Sequence, residues 1–187
     1  MSLWFKLTAF RGIVENTLSL DPPHATLIAK IPVSKMQKWL MKSEPSEFSI
    51  DNLKACPKQT DMWDGVRNYQ ARNMLRDSIK KGDLVFFYHS NCDAMGIAGV
   101  MEVVKESYPD PTAFDPNDAH FDPKSDPANP RWFVVDLKFK RKLKRVITLH
   151  ELKACEPLQE MRLLQKGNRL SVMPVQQSEW DFILSLE

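Results

Sequence analysis

Residues 84–88 read Leu-Val-Phe-Phe-Tyr, set between the turn-forming Lys80-Lys81-Gly82-Asp83 and the polar pair His89-Ser90. This is the most apolar run in the chain, and its length predicts the central strand of a sheet rather than a helix. Such a strand delivers Tyr88, His89 and Ser90 to one end of the sheet, where polar side chains are site candidates. At 187 residues and 43% hydrophobic, the chain can fill one core and is too short to need two.

The remaining patterns supply the neighbours of that strand. Trp39-Leu40-Met41 forms a second short apolar run, a strand buried on both faces that leaves Lys42 and Ser43 at its end. Ser49 N-caps a short helix closed off before Cys56-Pro57. From about Arg67 no Gly or Pro occurs until Gly82, so a helix can start there, with Ala71, Met74, Leu75 and Ile79 facing inward. Residues 96–104 predict a strand whose Gly96, Ala98 and Gly99 suggest a sharp bend or the close approach of a ligand. Residues 106–130 hold six of the 13 prolines and little periodicity, and read as a long turn-rich lid. Its Asp115, Asp118, Asp122 and Asp126 lack the glycine turn and final Glu of a calcium loop, so no metal is expected.

Residues 131–149 then predict a strand with Val135, Leu137 and Phe139 on one face and Lys138, Lys140 and Lys142 on the other. Six basic residues between Lys138 and Arg145 fit either a lysine-protected sheet edge or contact with phosphates. Thr148 with Glu151 forms a capping box, residues 160–165 a helical turn stopped by Gly167, residues 170–175 a last strand marked as an edge by Pro174, and Ser178 the cap of a closing helix. Several strands with short helices and no repeated βαβ unit predict an α+β fold on a small, strongly bent sheet or barrel. Residues 1–35 differ in pattern, broken by Asp21-Pro22-Pro23, and read as an N-terminal extension, with the domain proper at 36–187.

The densest chemistry lies in residues 62–73, Met-Trp-Asp-Gly-Val-Arg-Asn-Tyr-Gln-Ala-Arg-Asn. Gly65 can take a positive φ, and the turn feeds a helix whose first N–H groups suit an acceptor-rich ligand. Trp63 and Tyr69 offer flat faces, Arg67 a forked donor, and Asn68 and Asn73 amides that donate and accept. Together they are the groups needed to hold a planar heterocycle, although aromatics near a turn equally serve as core.

A net charge of +2 means that any positive surface for nucleic acid must be gathered locally. Cys56, Cys92 and Cys155 are widely spaced and odd in number, which argues against a disulfide framework and for a reducing compartment, cytoplasmic or, in a eukaryote, nuclear. No apolar run approaches the roughly 20 residues of a membrane span. No Gly-rich phosphate loop, Gly-x-Ser-x-Gly elbow or His-Glu-x-x-His helix occurs.

Several motifs in one order resemble the EVE domain proteins of the PUA-like superfamily. They are residues 39–45 (Trp-Leu-Met-Lys-Ser-Glu-Pro), 63–73, Phe87-Tyr88-His89-Ser90, Gly96-Ile97-Ala98-Gly99, residues 108–115 (Tyr-Pro-Asp-Pro-Thr-Ala-Phe-Asp) and residues 169–175 (Arg-Leu-Ser-Val-Met-Pro-Val). The resemblance spans residues 36–187. It implies a β-pseudobarrel of about five to six bent strands with flanking short helices. It also implies a non-catalytic pocket that captures a flipped modified base, a cytosine such as 5-methylcytosine in DNA. The pocket would be formed by Lys42, Ser43, Trp63, Gly65, Val66, Arg67, Asn68, Tyr69, Asn73, Tyr88, His89 and Ser90. Trp63 and Tyr69 would stack or wall the base, Lys42, Ser43, Asn68 and Ser90 would bond its edge, and Arg67 would meet a phosphate. Lys138, Lys140 and Lys142 would contact the nucleic-acid backbone. No cofactor is implied, and a monomer is favoured. An RNA-binding PUA-like protein is the alternative, and an enzyme using Glu44 and His89 as acid and base is a third.

Overall fold

The computed structural model describes residues 36–187, so the expected extension at 1–35 lies outside the described residues. The chain runs β1 (Lys38–Ser43), α1 (Ile50–Ala55), β2 (Thr60–Met62), α2 (Tyr69–Asn73), β3 (Leu84–His89), β4 (Gly96–Pro109), β5 (Phe133–Thr148), α3 (Leu149–Ala154), β6 (Val172–Val175) and α4 (Gln177–Ser185). The strands form one open, mixed sheet in the order β2-β5-β4-β3-β1-β6, with β1 parallel to β3 and the other pairs antiparallel. This is the expected α+β pseudobarrel architecture of bent strands with short helices.

Side-chain alternation along the central strands fills a core on each face. Trp39, Met41, Val85 and Phe87 point to one face with Leu53 of α1, Trp63 and Leu75. Leu40, Phe86 and Tyr88 point to the other, where Leu152, Leu158 and Trp180 cover them. Asp83, buried at the foot of β3, accepts from the Gln37 N–H (2.8 Å), the Trp39 indole (2.9 Å) and the Lys80 N–H (2.9 Å). These three bonds fix the start of β1 against the turn before β3.

Local chemistry explains most helix boundaries. Ser49 caps α1 and Thr148 caps α3, each in a reciprocal pair with the third helical residue, Asn52 or Glu151. The helix expected from about Arg67 starts later, because the Asn68 side chain accepts from the Ala71 N–H (3.0 Å) and makes Asn68 the N-cap. It continues as one π-helical turn over Met74–Ser78. The closing helix begins at Gln177, where the Gln176 N–H donates to Glu179 (2.8 Å), rather than at a Ser178 cap.

Two features of the sheet depart from the sequence reading. β2, a three-residue edge strand paired with β5, carries too little apolar pattern to announce itself. In β5, Val100 pairs with Arg141 and Met101 with Phe139, so Lys140 is an extra, bulged residue. A bulge shifts the alternation by one. Phe139 lies over the first core and Leu143 in the second, although both have odd numbers. The expected lysine face therefore does not exist as one stripe. Lys142 reaches Asp51 of α1 (2.6 Å), whereas Lys140 pairs with Glu102 on β4 (2.6 Å).

Candidate functional site

A cavity of about 400 Å³ opens beside the first core, within the roughly 300–1,000 Å³ of small-ligand sites. Its walls come from four segments: Lys42 and Ser43 at the end of β1, Glu47 and Phe48 before α1, residues 61–66 after β2, and Ser171 just before β6, with His120 added from the long loop. The Trp63 N–H donates to the Val135 carbonyl (2.8 Å), which prolongs the β2–β5 pairing by one residue and fixes the indole. That ring meets Phe87 edge-on (5.3 Å, 83°) and Phe48 edge-on (6.5 Å, 79°). Trp63 is 7% exposed, so it is both a core residue and a cavity wall.

Gly65 turns the chain with φ +68°, and a Cβ built there would lie 2.6 Å from Nε2 of His120. Only glycine admits both the backbone angle and the imidazole pressed against it. Asp64, half-buried in the wall, has its carboxyl pushed above the ordinary range by burial, with His120 opposing the shift and Asp110 adding to it. Asp61 and Ser43 complete a polar rim over an aromatic floor.

His120 is held by an anchor that the sequence reading assigned elsewhere. Arg67 Nη1 donates to Asp110 (2.7 Å), Nη2 to the Thr112 hydroxyl (3.3 Å), and Nε to the His120 carbonyl (3.0 Å). The Asp110 side chain is 1% exposed and also accepts from the Thr112 N–H (2.9 Å). The Arg67 fork is thus committed to the lid, with its guanidinium 5.4 Å from the Trp132 ring centre. Within the lid, Asp115, Asp118, Asp122 and Asp126 each accept from the N–H two residues on, at 2.8–3.0 Å. They are turn makers of the Asx type, and among the described residues no group of three His, Cys, Asp or Glu side chains could hold a metal ion.

Of the twelve pocket residues expected from the sequence, Lys42, Ser43, Trp63, Gly65 and Val66 line this cavity. The Lys42 ammonium, lowered in pKa by burial, stands 5.7 Å from the Tyr88 ring on the opposite side of the strand from Ser43. Tyr69 is 55% exposed and stacks on Trp132 (5.1 Å), so Trp63 and Tyr69 form no common cage. Asn68 caps α2, and Asn73 accepts from Arg72 (2.8 Å) on an exposed turn. Tyr88 belongs to the second core, and burial pushes its hydroxyl up to about 12. The Ser90 N–H continues the β1–β3 pairing to the Ser43 carbonyl (2.9 Å). His89 lies edge-on to Phe87 (5.3 Å), and its Nε2 accepts from the Ile50 N–H (3.3 Å). Glu44 accepts from Asn91 (2.9 Å), so the acid and base of the third expectation are each engaged with other groups. Glu47, Phe48, Asp61, Met62, Asp64, His120 and Ser171 were missed. Asp61 and Asp64 flank Trp63 in sequence, a signal within reach, while nothing in the sequence brings His120 to Gly65.

The bent mixed sheet and its recessed, polar-rimmed cavity define a PUA-like α+β domain. The chain belongs to the EVE domain family, whose model matches residues 37–186. Human thymocyte nuclear protein 1 is 52% identical, over 80% of this chain and 73% of that protein. The crystal structure of the human protein in complex with DNA containing 5-methylcytosine superposes with a TM-score of 0.76 at 51% identity, covering 80% of this chain and 96% of that one. A protein of Pseudomonas syringae gives a TM-score of 0.76 at 49% identity, covering 80% and 98% of the two chains. No helix among the described residues is long and apolar enough to cross a membrane.

Proposed function

We propose that residues 36–187 form a non-catalytic module that captures a modified base, a modified cytosine flipped out of DNA, in the cavity beside Trp63. The reading is carried by one observation: an indole and a phenyl ring, Trp63 and Phe48, wall a cavity whose rim is Ser43, Asp61 and Asp64. A flipped base needs flat apolar faces and a few polar groups at its Watson–Crick edge. Asp64 is suited to accept from the exocyclic amine of cytosine, and its raised pKa lets it donate to the ring nitrogen when protonated. The Ser43 hydroxyl can do either. Extrusion costs a few kcal/mol, and stacking returns about 1–3 kcal/mol per base. The similarity to the human protein, seen with 5-methylcytosine-containing DNA, supports the same ligand class for this chain.

Binding of the full chain to labelled duplexes that differ in one cytosine, unmodified or 5-methylated, tests the reading, with RNA of the same sequence as a further arm. The methylated DNA is expected to bind most tightly, and Asp64→Ala with Ser43→Ala, which removes edge contacts common to both cytosines, to weaken both duplexes. Equal affinity for both duplexes would refute base capture, and preference for RNA would move the function to an RNA-binding module.

A further inference from the structure

The six cations of β5 are the conspicuous basic cluster in the sequence, but four of them are neutralised. Lys140, Arg141, Lys142 and Arg145 form ion pairs with Glu102, Glu187, Asp51 and Glu151, each at 2.6 Å. A second basic group shows the opposite behaviour. Arg162, Lys166 and Arg169 are exposed and form no ion pair among the described residues. They line a groove of about 480 Å³ whose facing wall is Asn68 and Gln70, and no acidic residue lines it.

The loop that carries these cations is held from within. Leu163 and Leu170 are buried in the second core at its two ends. Asn168 donates to the Arg162 carbonyl (2.7 Å) and accepts from the Leu170 N–H (3.1 Å), and Gly167 makes the turn with φ +80°. The backbone is therefore fixed by apolar anchors and an amide clasp, and the charged side chains project from it uncommitted. Placed on a loop with no carboxylate partner, three cations raise the local potential toward a polyanion.

Continuity with the cavity decides which polyanion. Leu170 lines the groove and Ser171 the cavity; on the other wall Asn68 lines the groove and Val66 the cavity. Both walls of the groove thus run within two residues into the walls of the base site. We infer that this groove, and not the β5 strand, holds the sugar-phosphate backbone next to the captured base, with Arg162, Lys166 and Arg169 as phosphate contacts. The inference rests on the base-capture reading for its choice of ligand. A strand whose base enters the cavity has its flanking phosphates within reach of the groove, which couples a sequence-blind contact to a base-specific one.

Two triple variants of the full chain separate the surfaces: Arg162→Gln with Lys166→Gln and Arg169→Gln, and Lys138→Gln with Lys140→Gln and Lys142→Gln. Affinity for methylated and unmethylated duplexes is measured between about 50 and 300 mM salt. Each lost phosphate contact lowers the slope of log affinity against log salt by about 0.9. The groove variant is expected to lower it by about 2 to 3 and to weaken both duplexes equally, by roughly 100-fold near 0.15 M salt, leaving their ratio unchanged. The β5 variant is expected to lower it by less than about 1. Lys166→Gln alone, at an exposed position that holds no structural bond, is expected to lower it by about 1 and covers the case in which the triple variant misfolds. An unchanged slope in the groove variants overturns the inference while leaving base preference to stand or fall by itself. A reduced slope with no preference in the parent chain keeps the groove and removes the base reading. Absence of salt-dependent binding in the parent chain overturns both.

Discussion

Replacing Arg67 by alanine removes the only cation paired with Asp110 in the described structure and leaves that carboxylate buried. Breaking such a pair costs about 3–5 kcal/mol when both partners are enclosed. Arg67 is 25% exposed and Asp110 keeps its bonds from the Thr112 N–H (2.9 Å) and hydroxyl (2.6 Å), so the low end applies. A loss of about 3 kcal/mol corresponds to a fall in Tm of about 6–12 °C for a domain of this size. Urea and thermal unfolding of the full chain, followed by tryptophan fluorescence, measure it. Asp110→Asn in the same background removes the stranded charge and is expected to restore at least half of the loss. Because the guanidinium is engaged by the lid, the salt dependence of nucleic-acid binding is expected to stay within error of the parent when measured well below Tm. A destabilisation under about 1 kcal/mol, or a double variant no more stable than the single one, would refute the anchor and return Arg67 to the role of a free phosphate contact.

Three smaller perturbations probe other parts of the same frame. Burial holds the His89 pKa below its ordinary value of 6.5, with Asp51 opposing the shift, so the folded state prefers the neutral ring that accepts from the Ile50 N–H. Its contribution is complete above about pH 6.5 and is lost as pH falls through the lowered value, so the difference in urea midpoint between the parent and His89→Gln should shrink from pH 8 to pH 5. Gly65→Ala is expected to cost more than Gly82→Ala, because both have positive φ, +68° and +92°, but only at Gly65 does a neighbour, the His120 ring, occupy the place of the new methyl. Left-handed strain alone is about 1–2 kcal/mol, and equal losses at the two glycines would mean that His120 does not sit against the turn. Asp83→Ala leaves the Trp39 indole and two backbone N–H groups without their acceptor. A loss of about 2–4 kcal/mol in urea unfolding is expected, and Asp83→Asn, which keeps one accepting oxygen, should fall between the two.

The central strands were legible in the sequence because burial on both faces writes itself as unbroken apolar runs, as in Trp39-Leu40-Met41 and residues 84–88. Caps at Ser49 and Thr148 were legible for the same local reason. The bulge at Lys140 was not, since it depends on how far β4 and β5 slip past one another, and it alone reverses the face that Lys142 occupies. One wall of the cavity, Trp63, Gly65 and Val66, could be read from a single stretch. Tyr69 could not be placed, because one cap at Asn68 decides where the helix begins, and beginning at Tyr69 sends that ring to Trp132, 63 residues further along the chain. Arg67 was misassigned for a related reason: a guanidinium on a first helical turn looks unclaimed until a distant buried Asp110 is brought to it.

The position of β1 between β3 and β6 has a consequence for how the molecule comes into being. β3 follows within tens of residues, but the strand on the other flank, Val172–Val175, leaves a ribosome after every other strand of the sheet. Until it arrives, the main-chain groups of Lys38 to Met41 that it will occupy remain an open template for any passing strand. Nascent chains stalled short of Val172 should therefore be the species most dependent on chaperones, and the short segment that closes the sheet is the one whose late arrival ends the exposure.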